Sequence, residues 1–336
     1  MQAIRVGADQ RLSWEEVADP VPSESEVLLR VRATAVNRAD LLQRRGLYPP
    51  PPGAPEWLGL EASGVIEAAG VTARLFGWRE GDAACCLLAG GGYAERVAVD
   101  VRQLLPIPTG VSLLEAAALP EVFTTAYLNL FWEGRLQPHE TVLIHAGGSG
   151  VGTAAIQLAR DRGARIWTTV GSEDKARRVR ELGADEVIVH RQENVTARLR
   201  ELCALEGLDV VLDCLGGEDL PMHLPLLREG GRWVLIGLMR GAAANLDLRP
   251  LLARRLRLIG STLRARPVPE KERILAGLVR DIWPRFADGA VRPVIHAVLP
   301  ITQAEQAHAL LAANEQFGKV VLEVDPGVEA SPTRPC

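Results

Sequence analysis

The rhythm of apolar and polar positions changes twice along this chain of 336 residues. Up to about residue 110, short alternating runs are cut by glycine and proline. Glu26 to Arg32, Gly64 to Gly70 and Gly92 to Val99 read as strands, with turns at Pro20, Pro22, Gly53, Gly81 and Gly90 to Gly92. Many short strands so punctuated predict a compact β-barrel-like domain. The tract Tyr48-Pro-Pro-Pro-Pro-Gly-Ala-Pro55 must be a stiff extended loop, because consecutive prolines allow neither helix nor central strand. A rigid loop of that kind can hold Tyr48 against a pocket.

From Ser112 the spacing turns helical. Ser112 with Glu115 fits a capping box opening an alanine-rich helix, Pro120 breaks it, and Glu121 to Phe131 carries a second helix. A βα alternation follows. Strands are expected at 141–145, 164–170, 186–189, 208–214, 232–237 and 256–261, and helices at 152–162, 173–182, 194–203 and 219–228. Six strands with intervening helices predict an α/β, doubly wound sheet of the Rossmann kind. Beyond about residue 263, helix 270–286, strand 294–298, helix 302–313 and strand 319–323 read as a return to the first domain. The polar stretch from Asp325 to Cys336 reads as a disordered tail.

The most informative stretch is Thr141-Val-Leu-Ile-His-Ala-Gly-Gly-Ser-Gly-Val-Gly152. An apolar strand, a glycine turn and a helix in that order form a dinucleotide site, where helix N-terminal amides face a pyrophosphate. In the G-x-G-x-x-G frame the positions are Gly147, Ser149 and Gly152, so serine replaces the middle glycine. The second strand ends in Gly171-Ser172 rather than in the acidic residue that binds a ribose 2′-hydroxyl. A small hydroxyl there admits a 2′-phosphate, and Lys175 can supply positive charge, with Arg178 more simply a solvated helix face. This favours NADP over NAD, although Glu173 and Asp174 lie alongside.

Composition narrows the classes. Apolar residues make up 47% and charged residues 24%, which describes a globular protein without a disorder or membrane signature. No apolar run is long enough to span a bilayer, and the N-terminus lacks the apolar core of a signal peptide. A net charge of −4 argues against a broad nucleic-acid surface. Five cysteines without a C-x-x-C motif read as reduced thiols in the cytoplasm.

Four segments carry a resemblance to a known family: Asn37 to Gly53, Leu58 to Gly64, Leu143 to Leu158 and Gly231 to Met239. Together they resemble the zinc-independent quinone oxidoreductase branch of the medium-chain dehydrogenase/reductase superfamily, nearest its stress-inducible members that resemble zeta-crystallin. The resemblance runs from the N-terminus to about Val324. It implies a GroES-like domain at 1–118 and 263–324 around a Rossmann domain at 119–262, with NADPH in the cleft between them.

The resemblance also implies site residues. Asn37 and Tyr48 line the nicotinamide and substrate pocket, and Thr125 lies near the nicotinamide ring. Gly147, Ser149, Gly150, Val151 and Gly152 form the pyrophosphate turn, and Ser172 and Lys175 contact the 2′-phosphate. Leu238, Met239, Leu263 and Arg264 flank the cofactor. His190 replaces a tyrosine usual at the end of the third Rossmann strand, where it can hydrogen-bond the phosphate or, when protonated, attract it. A homodimer joined along the last Rossmann strand is implied, with a tetramer as the other assembly.

No metal is expected. The Gly-His-Glu motif that gives related alcohol dehydrogenases a zinc ligand is Gly59-Leu60-Glu61 here, and Cys85 and Cys86 have no histidine at metal-site spacing. A quinone accepts hydride without a Lewis acid, so the expected reaction is direct hydride transfer from NADPH to a quinone held by Asn37 and Tyr48. One alternative is an enone or enoyl thioester reductase of the same fold. Another is a non-catalytic NADPH-binding protein, crystallin-like or RNA-binding.

Overall fold

The computed structural model describes residues 1–329. Two compact units emerge, one built from residues 1–124 and those from 263 onward, the other from Thr125–Thr262. Residues 119–124, expected with the nucleotide unit, belong to the first. Phe123 packs on Phe286 at 5.4 Å between ring centroids, and the Glu121 amide bonds Glu61.

The first unit is organised by the long strand Glu26–Ala35, which pairs antiparallel with Glu61–Ala69, Arg96–Asp100 and Lys319–Glu323. Its alternate residues Val27, Leu29, Val31 and Ala33 are fully buried, the pattern of a half-buried strand. The strand Ile295–Pro300, the helix Ala304–Ala312 and the strand Lys319–Glu323 form a parallel crossover added to this sheet. That crossover returns the C-terminal part of the chain to the first unit and puts Lys319 beside Val36 and Asn37. Residues 325–329, expected as disordered tail, are tied down: Asp325 pairs with Arg30 at 2.7 Å and Val328 is buried. The remainder of that expected tail lies outside the described residues.

The second unit is a six-stranded parallel sheet. Its order runs Glu186–Val189, Arg165–Val170, Thr141–Ile144, Leu208–Asp213, Leu227–Leu235 and Arg257–Gly260. The order reverses beside Thr141–Ile144, so the turn after that strand lies at the switch point where ligands bind in such sheets. All four of its residues are buried, as expected of a central strand covered on both faces.

Some expected elements differ. The helix after Ser112 is only Leu113–Ala116, although its capping box is present, with the Glu115 amide donating to Ser112 Oγ and the Ser112 amide to Glu115. Beyond Pro120–Tyr127 the helix widens over Leu128–Glu133 and closes with a Gly134 amide to Asn129 carbonyl bond. The helix expected at 219–228 stops at His223. Pro225 interrupts it, and Leu227 already pairs with Leu208 in the sheet.

Candidate active site

The glycine turn is shaped by the protein's own packing. A Cβ on Gly147 would stand 2.2 Å from Thr168 Oγ1, and one on Gly152 would stand 2.4 Å from the Ala146 carbonyl oxygen. Ala146 takes a left-handed φ of 56° to make the bend. Serine at the middle position is the N-cap of the helix Gly150–Asp161, its Oγ accepting from the Gly152 amide at 2.9 Å. The amides of Gly150 and Val151 in that first turn have no intrahelical acceptor, as anion binding at a helix N-terminus requires.

At the end of the next strand, Ser172 caps the helix Glu173–Leu182 by accepting from the Lys175 amide. The His190 and Arg191 side chains lie against Gly171, 3.4 and 3.9 Å from where its Cβ would be. Burial holds the Lys175 ammonium below the usual lysine range, and Arg191 and Arg178 push it the same way. Burial and then Arg240, Arg191 and Lys175 lower His190. Lys175, Arg178, His190, Arg191 and Arg240 thus influence one another around Ser172, with Arg240 also paired to Asp219. Asp174 is turned to Arg177 on its own helix, and Glu173 is exposed. Asp174 still acts on Lys175, raising its pKa against the effect of burial. The sequence singles out neither Arg191 nor Arg240: one follows His190 past a strand end, the other follows Met239 in a loop.

Thr125 gives its carbonyl to Asn129. Leu238 and Met239 are about half exposed, at 51% and 48%. Leu263 and Arg264 belong to the first unit and are buried. The Arg264 guanidinium is committed to protein oxygens, donating to Ala89 and Tyr48 carbonyls and to Gln43 Oε1, with Tyr48's ring 5.2 Å away. It pins the proline-rich loop rather than reaching for a ligand.

Behind the glycine turn, His145, His223 and Trp233 stack, with the two imidazoles 6.2 Å apart. His223 Nε2 lies 2.8 Å from Thr196 Oγ1, and burial depresses its pKa to about 4. A histidine held neutral in the fold but protonated in the unfolded chain costs stability as pH falls from its ordinary range through 4. The expected loss is about 3 kcal/mol. His223→Asn should flatten this part of the acid dependence in thermal melts.

In the first unit, polar groups collect around Asn37. Asn37 precedes the helix Arg38–Arg44, and its amide donates to Asp40 Oδ2 at 2.8 Å. Asp40 also accepts from the Gly59 amide and from Tyr93 Oη, which contacts His308. Burial raises Asp40 to about 6. Asn37 Nδ2 donates to the Ala35 carbonyl and to Glu61 Oε1, and its Oδ1 accepts from Lys319 Nζ at 2.6 Å. Both amide hydrogens are spent on protein acceptors, so Asn37 has no donor left for a substrate oxygen. Its geometry suits a positioning residue, not the direct contact expected. Tyr48 differs: it is half-buried, and its hydroxyl donates to no acceptor among the described residues. Burial, and then Glu121, hold its phenol protonated.

Glu61 is fully buried, paired with Lys319 at 2.8 Å, and its Oε2 accepts from the Glu121 amide. Leu60 is buried apolar surface, and burial raises the Cys85 and Cys86 thiols far from ionisation. These donors do not fit a zinc ion, which takes thiolate, imidazole or free carboxylate. Among the described residues, no three His, Cys, Asp or Glu side chains converge to hold a metal.

A doubly wound unit inserted into a largely antiparallel one is the architecture of the alcohol dehydrogenase plan. Residues 23–109 match the alcohol dehydrogenase GroES-like domain, and residues 150–278 match the zinc-binding dehydrogenase family. The quinone oxidoreductase of Mus musculus is 32% identical over 330 residues, 96% of this chain and 97% of the relative. The quinone oxidoreductase of Thermus thermophilus, solved also in complex with NADPH, aligns with a TM-score of 0.81. It is 34% identical, over 96% of this chain and 100% of its own. The JamJ enoyl reductase aligns with a TM-score of 0.85 at 25% identity, over 96% of this chain and 99% of its own. The chain belongs to the medium-chain dehydrogenase/reductase superfamily, in its zinc-independent quinone oxidoreductase branch.

Proposed function

We propose that this protein is an NADPH-dependent quinone reductase. The observation that carries the cofactor choice is the convergence of Lys175, Arg178, His190, Arg191 and Arg240 beside Ser172. A 2′-phosphate would gain from the positive potential there, although Asp219 already pairs with Arg240, and a ribose hydroxyl would not. The names of the relatives support a quinone as acceptor.

When bound, a reduced nicotinamide supplies the hydride. The chain's part is binding and proton placement. Ser149 fixes the pyrophosphate turn, with the Gly150 and Val151 amides as anion donors. Arg264 holds the loop that carries Tyr48, whose phenol is free to donate to an acceptor oxygen. Asn37, Glu61 and Lys319 form the rigid floor of this region, and positioning supplies much of the acceleration. The open sheet edge at Arg257–Gly260 is the surface through which this reading pairs two copies.

A second reading, reduction of an enone or enoyl thioester, is favoured by the likeness to the JamJ enoyl reductase. Turnover of NADPH against ortho- and para-quinones and against enones, with chelator present, separates the two. Activity on enones alone would sink the quinone reading. The cofactor reading predicts that Lys175→Ala and Arg191→Ala each raise the KM for NADPH about tenfold, or 1.4 kcal/mol, and leave that for NADH unchanged. Equal effects on both cofactors would show that the cluster does not read the 2′-phosphate.

A further inference from the structure

The helices Arg38–Arg44 and Ala304–Ala312 border a cleft of about 240 Å³ on the first unit. Glu305, His308, Ala309 and Ala312 share one face of the second helix and line it. Leu41 and Arg44 line it from the first, with Arg45 just beyond that helix's end. Leu41 and His308, 5% and 2% exposed, form a buried floor, and the two alanines are exposed walls.

Charge in the cleft is unbalanced. Arg44 is committed, with its Nη2 2.8 Å from Glu305 Oε1 and its Nε donating to the Gln10 carbonyl. The same Glu305 oxygen accepts from the Leu12 amide. Arg45 is exposed, and its guanidinium makes no hydrogen bond or ion pair among the described residues. Arg44 and Glu305 cancel, so one positive charge remains at the rim.

The floor lacks a donor. His308 Nε2 lies 3.2 Å from Tyr93 Oη, and Tyr93 in turn donates to Asp40 Oδ2. Asp40 also accepts from the Asn37 and Gly59 amides, so it acts as a carboxylate and takes the Tyr93 hydrogen. His308 must then carry its own hydrogen on Nε2 and donate to Tyr93 Oη. Burial, and then Arg44, hold its pKa down to about 3, so the ring stays neutral. Nδ1 is left as an acceptor, buried and with no partner among the described residues. The two nitrogens of an imidazole look to opposite sides of the ring, so with Nε2 turned inward to Tyr93, Nδ1 faces the cleft. An acceptor so buried is costly to leave without a donor.

We propose that this cleft binds a small carboxylic acid that carries a hydroxyl or N–H donor on a compact apolar body. The donor bonds His308 Nδ1 at the floor, the body lies on Leu41 and the two alanines, and the carboxylate pairs with Arg45 at the rim. A plain carboxylate leaves Nδ1 unsatisfied, and an uncharged alcohol leaves Arg45 unpaired. No step of turnover enters the inference, so it stands apart from the reductive reading above.

The probe is 4-hydroxybenzoate, with benzoate and 4-hydroxybenzyl alcohol as controls. Binding is followed by NMR titration of the full chain at neutral pH, for the wild type, Arg45→Ala and Ala309→Leu. Both replaced side chains are exposed, so neither change disturbs the core. The acid should bind the wild type with a Kd of about 1 mM, and each control about tenfold more weakly. Arg45→Ala should weaken the acid about tenfold, and Ala309→Leu, which fills the cleft, should abolish binding. In nitrogen-15 spectra, saturating probe should move the His308 Nδ1 resonance upfield, as for a nitrogen gaining a hydrogen bond, and leave the other histidines in place. No binding, equal binding of all three compounds, or unaltered binding in both variants would overturn the proposal. Loss of binding only in Tyr48→Phe or Lys175→Ala would place the probe in the quinone or nucleotide region and overturn it as well.

Discussion

Lys319→Met is expected to destabilise the protein by about 3–5 kcal/mol, read from urea unfolding at neutral pH, and to abolish most activity. Lys319 is 4% exposed and Glu61 fully buried, with 2.8 Å between ammonium and carboxylate. Methionine fills much the same volume but leaves Glu61 with only two neutral donors, Asn37 Nδ2 and the Glu121 amide. Asn37 Oδ1 and the Val36 carbonyl lose their donor as well. Removing one member of a buried pair is costly because the other stays charged, whereas removing both can be nearly neutral. Glu61→Gln combined with Lys319→Met should therefore recover much of the lost stability. If the single variant unfolds at the wild-type urea concentration, the pair is not the anchor described here.

Gly147→Ala and Gly152→Ala are each expected to weaken NADPH binding at least about 100-fold, or 2.7 kcal/mol, measured by calorimetry. The cause is internal. At Gly147 the new Cβ meets Thr168, a fully buried side chain fixed by a 2.7 Å bond to the Ile144 carbonyl. At Gly152 it meets backbone, the Ala146 carbonyl and Gly147 Cα. Either clash moves the turn that aims the Gly150 and Val151 amides, and overpacking of this kind costs about 1–3 kcal/mol in stability besides. Thr168→Ala should partly rescue Gly147→Ala, because it removes the atom in the way, and should leave Gly152→Ala unimproved. Rescue of neither would point to close approach by the ligand, not internal packing, as the reason for glycine at 147.

What the sequence determined here is local and periodic. The apolar run at Val142 to Ile144, the glycines after it and the helical spacing beyond are contiguous, so the nucleotide turn and the strands and helices around it follow from neighbours in the chain. The helix Glu173–Leu182 is legible for the same reason, because its cap and first turn lie within a few residues. The helix Arg38–Arg44 was not, since its seven residues give too short a periodic signal and its start depends on Asp40 bonding back to Asn37.

The tertiary structure decided what each polar group does. Asn37 reads as a substrate ligand until Lys319, 282 residues away in sequence, and Glu61 occupy its amide. Arg264 reads as a cofactor contact until the Tyr48 loop folds over it. Arg191 comes to lie against Gly171 only because the strands Arg165–Val170 and Glu186–Val189 pair in the sheet, and Arg240 acts on His190 from a loop beyond a strand that is not their neighbour. The Glu121 carboxyl is pushed up to about 8 only through burial and its proximity to Glu61. Periodicity and turn chemistry act over a few residues and can be read from the chain. Charge state and hydrogen-bond commitment depend on desolvation and on partners brought together by sheet pairing, and those exist only in the folded molecule.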